Sequence, residues 1–142
     1  KSSPQYVNVG YFDKDNYLDV VIVDSINSQI HIFPGNGDGN FSALTTYDSI
    51  SGSNPLFVGV HDFNHDNQLD LAVVNRNTHN VGIMYGIGNG TFLEQITFST
   101  GNRSAPFSIT SGDLNNDDKL DIVIADMSSA TIGVLLNQCE NS

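Results

Sequence analysis

Residues 61–75 read HDFNHDNQLDLAVVN and place oxygen-bearing side chains on alternate positions, immediately before a run of apolar residues. The same arrangement recurs in residues 11–24 (YFDKDNYLDVVIVD) and 112–126 (GDLNNDDKLDIVIAD). A fixed period of this kind is the signature of a repeat protein, in which neighbouring copies stack and share a core. The last loop aspartates, which stand immediately before the apolar runs, are 51 residues apart: Asp19, Asp70 and Asp121.

Other residues keep the same register. Pro4, Pro55 and Pro106 are separated by 51 residues, so three of the four prolines in the chain recur with the repeat. Phe41 and Phe92 have the same spacing. At 142 residues the chain is long enough for one domain with one sizeable core. The sequence therefore predicts a single domain made of three repeats, at residues 1–51, 52–102 and 103–142.

Each repeat has the pattern of four short strands. Val7 and Val9 alternate with other residues in the first strand, as do Val58 and Val60, which predicts one buried face. The second strand is a continuous apolar run (VVIV, LAVV or IVIA), typical of a strand covered on both faces. The third strand carries its apolar residues on one face: Ile30 and Ile32, Val81 and Ile83, and Ile132 and Val134.

A Gly-Asn turn and a more polar fourth strand complete the first two repeats, whereas the third repeat ends after its third strand, at Leu136 or Asn137. Four strands in about 50 residues is the spacing of a propeller blade, and a ring usually has 4–8 blades. The predicted fold is all-β, with β-propeller blades of four antiparallel strands. The chain holds about three blades, the last one truncated, and forms a partial propeller.

The charge is unevenly distributed. The formal net charge is −11, from 16 acidic and 5 basic residues, and 14 of the acidic residues are Asp. Such a chain repels nucleic acid and anionic membrane surfaces, because both require clustered Lys and Arg. Ten of the aspartates lie in the three loops that precede the second strands. Concentrated carboxylates of this kind point to bound cations rather than to a solvated surface.

The spacing of the oxygens suits Ca²⁺, which prefers six to eight oxygen ligands. In the second and third loops side chains supply four ligands each, and the backbone carbonyl two residues before the last aspartate supplies another. The residue after the third ligand must turn sharply, and Asn16, Asn67 and Asp118 tolerate positive φ there. The alternative is that these segments are ordinary Asp/Asn-rich turns. The predicted ligands are Asp62, Asn64, Asp66, Gln68 and Asp70 in the second loop, and Asp113, Asn115, Asp117, Lys119 and Asp121 in the third.

The first loop departs from this pattern because Tyr11 occupies the first ligand position. Its remaining predicted ligands are Asp13, Asp15, Asp19 and the carbonyl of Tyr17. We therefore expect two full calcium sites and a third, weaker one. An EF-hand is excluded because loop position twelve, counted from Asp62, is Val73 within a predicted strand.

The segment DFNHDNQLDLAVV, followed by GNGTF, resembles the FG-GAP (VCBS-type) repeat of the integrin α-subunit propeller and of many secreted proteins. The chain departs from the family pattern in three ways. Tyr11 stands at the first ligand position of the first loop, Asn or Asp replaces the usual glycine after the third ligand, and the last strand of the third repeat is missing. The resemblance implies that calcium is structural and that partners bind the opposite face of the ring. That face would consist of residues 24–29, 75–80 and 126–131, with 51–55 and 101–106.

We expect a recognition module acting in adhesion or in protein or glycan binding, and the alternative is a purely structural repeat of a larger secreted protein or enzyme. The face loops contain no Trp, which favours a protein partner or none. A partial propeller exposes two blade faces, so self-association or the remainder of a larger propeller is expected to cover them. No catalytic role is expected, because none of the histidines falls in a metal-spaced or triad arrangement: His31, His61, His65 and His79.

Calcium loops of modest affinity fill where the ion is near millimolar, which predicts a secreted or cell-surface location. Three N-glycosylation sequons begin at Asn40, Asn89 and Asn102, all in predicted loops. The single cysteine, Cys139, has no partner for an internal disulfide. It would pair outside this chain in a secreted parent protein, or it would be a free surface thiol.

Overall fold

Within residues 1–138, turns rich in Gly, Asn, Asp and Ser separate eleven short β-strands. A computed structural model describes residues 1–138, so the predictions for Cys139 lie outside the described residues. Within residues 1–138 no helix occurs, and the all-β prediction is confirmed. The strands are β1 (Pro4–Gly10), β2 (Asp19–Asp24), β3 (Gln29–Phe33), β4 (Thr45–Asp48), β5 (Pro55–His61), β6 (Asp70–Asn75), β7 (Asn80–Met84), β8 (Ile96–Ser99), β9 (Pro106–Gly112), β10 (Asp121–Asp126) and β11 (Thr131–Leu135).

The strands form three antiparallel sheets, each built from consecutive strands joined by hairpin connections. The first sheet has the order β1-β2-β3-β4, the second β5-β6-β7-β8, and the third β9-β10-β11. As predicted, the polar strands β4 and β8 lie at sheet edges, and the third repeat contributes three strands. Pro4, Pro55 and Pro106 each begin the first strand of a sheet, a position that suits a residue without a backbone N–H.

Strand β6 is the centre of the molecule. All six of its residues are buried, as the apolar run predicted. Successive side chains of a strand point to opposite faces, so Leu71 and Val73 contact the first sheet while Ala72 and Val74 contact the third. Burial on both faces explains why residues 71–74, between Asp70 and Asn75, are all apolar.

Two apolar cores lie between the sheets. Each residue that the first sheet contributes to the first core has a counterpart 51 residues later, which the second sheet contributes to the second core. The sheets therefore stack in the same sense. Between the first and second sheets lie Phe12, Val21, Val23, Ile30, Ile32, Val58, Leu71, Val73, Met84 and Phe92. Between the second and third sheets lie Phe63, Ala72, Val74, Val81, Ile83, Ile109, Ile122 and Ile124.

The outward faces of the first and third sheets differ from the sequence prediction. Val7 and Val9, expected on a buried face, are 58% and 48% exposed. Ile132 and Val134, which correspond to the buried Val81 and Ile83, are 72% and 47% exposed. The physical reason is the same at both ends, since among residues 1–138 no further sheet covers these faces.

The first strands of the three sheets lie side by side. Strand β5 contacts β1 on one side and β9 on the other. The side-chain amide of Asn8 in β1 donates a hydrogen bond of 3.2 Å to the carbonyl of Val58 in β5. Because each first strand begins its sheet, the three sheets extend outward from a common row of β1, β5 and β9.

Candidate metal-binding loops

The fourteen predicted ligands lie in three equivalent loops that join the first and second strand of each sheet. The last aspartate of each loop is the first residue of the second strand: Asp19 in β2, Asp70 in β6 and Asp121 in β10. These three side chains are buried, with at most 1% of their surface exposed. The other predicted ligands lie on partly or fully exposed bends. Each loop thus has one anchored carboxylate and several accessible ones.

The anchored carboxylate holds the loop closed. Asp70 accepts hydrogen bonds from the backbone N–H of Phe63, at 2.8 Å, and of Gly86, at 2.9 Å. It therefore ties the start of its loop to the turn that follows the third strand. The other two loops repeat this arrangement: Asp19 with Phe12 (2.9 Å) and Gly35 (2.9 Å), and Asp121 with Leu114 (2.9 Å) and Asn137 (2.8 Å).

In the first two repeats a glycine stands where this turn approaches the loop, and the backbone there leaves no room for a side chain. A Cβ atom on Gly86 would lie 2.2 Å from the carbonyl oxygen of Leu69, and one on Gly35 would lie 2.2 Å from that of Leu18. Neither backbone oxygen can move without shifting the strand that follows it. The sequence analysis treated these glycines only as turn residues, although their spacing of 51 residues marks them as part of the repeat.

The first ligand position organises the second and third loops. Asp62 accepts hydrogen bonds from the backbone N–H groups of Asp66, at 3.2 Å, and Asn67, at 2.9 Å. Asp113 accepts the equivalent bonds from Asp117, at 3.2 Å, and Asp118, at 3.0 Å. These bonds draw the loop into a ring around its first carboxylate.

The first loop lacks this arrangement, because the phenol of Tyr11 replaces the carboxylate and is 54% exposed. Its remaining polar contacts are local: Asp13 accepts from the N–H of Asp15, at 2.9 Å, and Asp15 accepts from that of Tyr17, at 2.8 Å. The first loop is therefore held by its two middle aspartates and by Asp19 alone.

The middle ligand positions of the other loops make the same local turns. Asn64 accepts from the N–H of Asp66, at 3.2 Å, and Asp66 accepts from that of Gln68, at 2.8 Å. The side-chain amide of Asn64 also donates to the second oxygen of Asp66, at 3.0 Å. The third loop repeats these contacts with Asn115, Asp117 and Lys119, at 3.2, 3.0 and 3.1 Å.

The sharp turn predicted after the third ligand is confirmed. Asn16, Asn67 and Asp118 have φ values of 66°, 63° and 62°. Asn and Asp tolerate this left-handed conformation better than other residues with a side chain, which explains how the loops adopt this turn without the usual glycine.

The residues predicted to offer a backbone carbonyl occupy equivalent places, and two of them pack against the neighbouring turn. A Cβ atom on Gly37 would lie 2.2 Å from the ring of Tyr17, and one on Gly88 would lie 2.2 Å from the amide oxygen of Gln68. These side chains cover the glycine turns while leaving the backbone in the loop. Ligation by the carbonyls of Tyr17, Gln68 and Lys119 stays a prediction.

The clustered charge affects the carboxylates differently. Burial, with the nearby charges of Asp66 and Asp62, raises the pKa of Asp70 to about 6, although the hydrogen bonds from Gly86 and Phe63 act in the opposite direction. For Asp113 burial is the largest single influence and raises the pKa, but the hydrogen bonds from the backbone N–H groups of residues 115–118 together outweigh it, and the pKa falls below its ordinary value. A cation near Asp70 would relieve the repulsion that raises its pKa.

The predicted ligands are oxygen atoms, the type of donor that calcium binds, although in this structure their side chains accept hydrogen bonds from the backbone of their own loop. Within residues 1–138, no group of three or more His, Cys, Asp or Glu side chains is close enough to hold a metal ion as it stands. Each carboxylate oxygen that accepts one N–H keeps a second lone pair, and the exposed members can rotate. Each loop combines two or more exposed oxygen donors with one fixed carboxylate, which suits a hard cation that binds only oxygen.

The sequence analysis missed a second set of equivalent polar residues, at the end of the second strands. Asp24 accepts hydrogen bonds from the hydroxyl of Ser2, at 2.6 Å, and the N–H of Ser3, at 3.0 Å, and so holds the start of the chain. Asp126 accepts from the N–H of Ala105, at 3.0 Å, and Asn75 takes the same place in the second sheet. The 51-residue register was the signal that could have found them.

The loops and sheets together define a repeat protein, in which one four-stranded unit recurs with its acidic loop in the same place. The family model for the FG-GAP-like repeat matches residues 11–73 and again residues 62–124, two matches displaced by the same 51 residues. The chain belongs to this family, as its sequence indicated. No match to the chain was found among curated proteins. No helix within residues 1–138 has the length and apolar character needed to cross a membrane.

Proposed function

We propose that the chain is part of an extracellular, calcium-binding β-propeller that recognises a protein or glycan ligand, with calcium in a structural role. The observation that carries the proposal is the recurrence of one acidic loop, anchored in the same way by its last aspartate, at the same place in three sheets. In each loop the last aspartate is fixed by two backbone N–H groups. Exposed carboxylates surround that fixed point and supply the charge that attracts a divalent cation.

The propeller reading is supported by the way in which the sheets are arranged. In a propeller, the first strand of each blade lines the axis and each blade packs face to face on the next. Strands β1, β5 and β9 are neighbours here, and both cores are built from equivalent residues. The exposed valines and isoleucines of the outer faces would be covered by further blades or by a second copy of the chain.

A structural role for calcium follows from the position of the loops. Each loop joins two strands of one sheet, and its anchored aspartate already connects it to the turn after the third strand. A cation at the exposed carboxylates would hold the rest of the loop in place. Five protein oxygens around one ion would leave few coordination positions for a substrate.

The proposal includes no catalytic step. His31 lies 4.0 Å from Asp24 and forms a hydrogen bond of 3.0 Å with Thr46, on the outer side of the first sheet. His79 bonds to the carbonyl of Ser104 and connects two loops on the face away from the acidic loops. Both contacts are of the kind that stabilises a fold.

An extracellular location is supported by the family and by the surface. Repeats of this family are typically extracellular. The sequon residues Asn40, Asn89 and Asn102 are all exposed and lie between strands, where a glycan would not disturb a sheet. The net charge of −11 opposes binding to nucleic acid or to an anionic membrane. The second candidate function, a scaffold repeat of a larger secreted protein, uses the same calcium loops without a ligand.

A thermal melt in EDTA, in millimolar calcium and in millimolar magnesium tests the calcium proposal. At calcium about 100 times the dissociation constant, one site adds about 2.7 kcal/mol, which raises the midpoint by several degrees. Magnesium should have a smaller effect, because it demands a tighter octahedral geometry. Equal midpoints in EDTA and calcium would mean that the loops are ordinary turns.

Matched variants show which loop binds. Asp66→Ala and Asp117→Ala each remove an exposed carboxylate from the second or third loop, and each should lose part of the calcium effect. Asp48→Ala removes an exposed carboxylate outside the loops and should leave it unchanged. Light scattering on the same samples tests the proposed coverage of the outer faces, since a strictly monomeric chain without dye-accessible apolar surface would contradict it.

A further inference from the structure

Two Asn-Gly pairs occur in the chain, both in turns that follow the third strand of a sheet: Asn36-Gly37 in the first repeat and Asn89-Gly90 in the second. At such a pair the backbone nitrogen of the glycine can attack the side-chain amide of the asparagine, because glycine has no side chain to hinder the approach. The attack requires a glycine N–H that is free to lose its proton. The two pairs differ in this requirement.

The backbone nitrogen of Gly90 is engaged in a contact between two sheets. Its N–H donates a hydrogen bond of 2.8 Å to the carbonyl of Phe12. Phe12 lies at the start of the first acidic loop and is buried in the core between the first and second sheets. This hydrogen bond must break before the nitrogen of Gly90 can attack Asn89. The packing of the two sheets therefore protects Asn89.

The backbone nitrogen of Gly37 is free. Within residues 1–138 its N–H has no hydrogen-bond partner, and both Asn36 and Gly37 are exposed. This freedom does not depend on whether a sheet lies alongside. In the second repeat the equivalent residue is Gly88, whose N–H also has no partner among the described residues although the first sheet packs beside it. Ile87, which corresponds to Asn36, is 52% exposed there.

The side-chain carbonyls of the two asparagines are alike. That of Asn36 accepts a hydrogen bond of 2.6 Å from the hydroxyl of Ser42, and that of Asn89 accepts one of 2.6 Å from the hydroxyl of Thr91. A donor at this oxygen stabilises the negative charge that develops when a nucleophile adds to the carbonyl carbon. Because both carbonyls have such a donor, the state of the glycine N–H distinguishes the two pairs.

We propose that Asn36 is a site of spontaneous deamidation and isoaspartate formation, and that Asn89 is protected from this reaction in the folded chain. The nitrogen of Gly37 gives its proton to hydroxide and forms a bond to the side-chain carbonyl carbon of Asn36. The bond from that carbon to the amide nitrogen breaks, and ammonia leaves after taking a proton from water. Water then opens the resulting succinimide ring at either carbonyl, which gives aspartate or isoaspartate.

The modification alters the turn that covers the first acidic loop. The N–H of Gly35 donates to the anchored carboxylate of Asp19, at 2.9 Å, and Gly37 lies against the ring of Tyr17. Isoaspartate at position 36 adds a backbone atom between these two contacts, and either product adds a negative charge. The ring signals of Tyr17 should therefore shift in the modified chain, because both contacts cannot keep their present geometry.

Peptide mapping by mass spectrometry tests the proposal on the whole chain, made without glycans and incubated at mildly alkaline pH in heavy-oxygen water. The heavy oxygen labels each carboxyl group formed during the incubation. In the folded chain we expect Asn89 to convert at least about fivefold more slowly than Asn36, because one hydrogen bond must first be broken. In urea, where the bond from Gly90 to Phe12 is absent, the two should convert at similar rates. Equal rates in the folded chain, or conversion at Asn36 only in urea, would overturn the proposal.

A variant gives a matched comparison within one turn. Ile87→Asn creates an Asn-Gly pair with Gly88, at the position equivalent to Asn36 and two residues before Asn89. We expect position 87 to convert faster than position 89 in the folded chain, and the reverse order would contradict the proposal. Both measurements are made in EDTA and need no bound metal. Their outcome is therefore independent of the calcium proposal.

Discussion

The carboxylate of Asp70 and the backbone N–H of Gly86 are joined by a hydrogen bond of 2.9 Å in the interior of the second repeat. The second oxygen of Asp70 accepts from Phe63, so one buried side chain connects the start of an acidic loop, the start of a strand and a distant turn. This residue was predicted as a metal ligand, and its geometry also gives it a role that needs no metal.

Unfolding experiments without calcium distinguish the two roles of the loop carboxylates. In EDTA, Asp70→Ala should lower the free energy of unfolding by about 2 kcal/mol or more, because two buried N–H groups lose their acceptor at about 1–3 kcal/mol each. Asp66→Ala should change it by less than about 0.5 kcal/mol, because its partner Gln68 N–H is exposed to water. Similar losses for both variants would mean that Asp70 does not anchor the fold. Urea titration at fixed temperature measures both values.

The glycine of the same turn gives a second prediction. Gly86→Ala places a Cβ 2.2 Å from the Leu69 carbonyl oxygen and should destabilise the chain by about 1–3 kcal/mol. Gly112→Ala is the matched control, because a Cβ there meets nothing within 4 Å and His61 occupies the equivalent place. Denaturant midpoints that move equally for the two variants would contradict the proposed close approach.

Tyr11 accounts for the difference between the first loop and the others. Tyr11→Asp restores the first ligand and can accept hydrogen bonds from the N–H groups of Asp15 and Asn16, as Asp62 does in the second loop. We expect an additional calcium site by calorimetry and a larger rise in melting midpoint with calcium. Tyr11→Asn is a milder version, since it restores an oxygen without its charge. An unchanged stoichiometry in Tyr11→Asp would mean that another feature disables the first loop.

Stability should fall in acid through Asp24. Burial alone would raise its pKa, but hydrogen bonds from Ser2, Ser3 and Asn27 outweigh burial and hold the pKa well below its ordinary value. A lowered folded-state pKa means that this stabilisation is complete above the unfolded pKa of about 3.9 and is lost as the pH falls below it. Asp24→Asn should therefore be less stable than the natural chain at pH 7.

The difference between the two chains should shrink as the pH is lowered towards about 3, where the carboxylate of Asp24 in the unfolded chain is protonated. Urea titrations at a series of pH values measure it. Asp48→Asn, at an exposed strand position, serves as the control and should show little change. A constant difference across the series would mean that the charge of Asp24 contributes nothing to stability.

The sequence predicted most of the repeat because the residue types at its key positions are compatible with few conformations. The apolar run of β6 and the turn at Asn67 followed directly from periodicity and from tolerance of positive φ. The exposure of Val7 and Ile132 could not be predicted, because the burial of a side chain depends on which sheet lies opposite it and not on its own strand. The hydrogen-bond partners of Asp70 could not be predicted either, since Gly86 is distant in sequence and contributes only a backbone N–H.

Phe92 provides the last test, because its ring fills the space between the first two sheets. Phe92→Ala removes a ring that contacts Phe12 and Tyr47 and should cost about 3–5 kcal/mol in the free energy of unfolding. Phe41→Ala, at the equivalent but 48% exposed position, should cost much less. Urea unfolding measures both. Equal costs would mean that the packing around Phe92 contributes little to the stability of the core between the first two sheets.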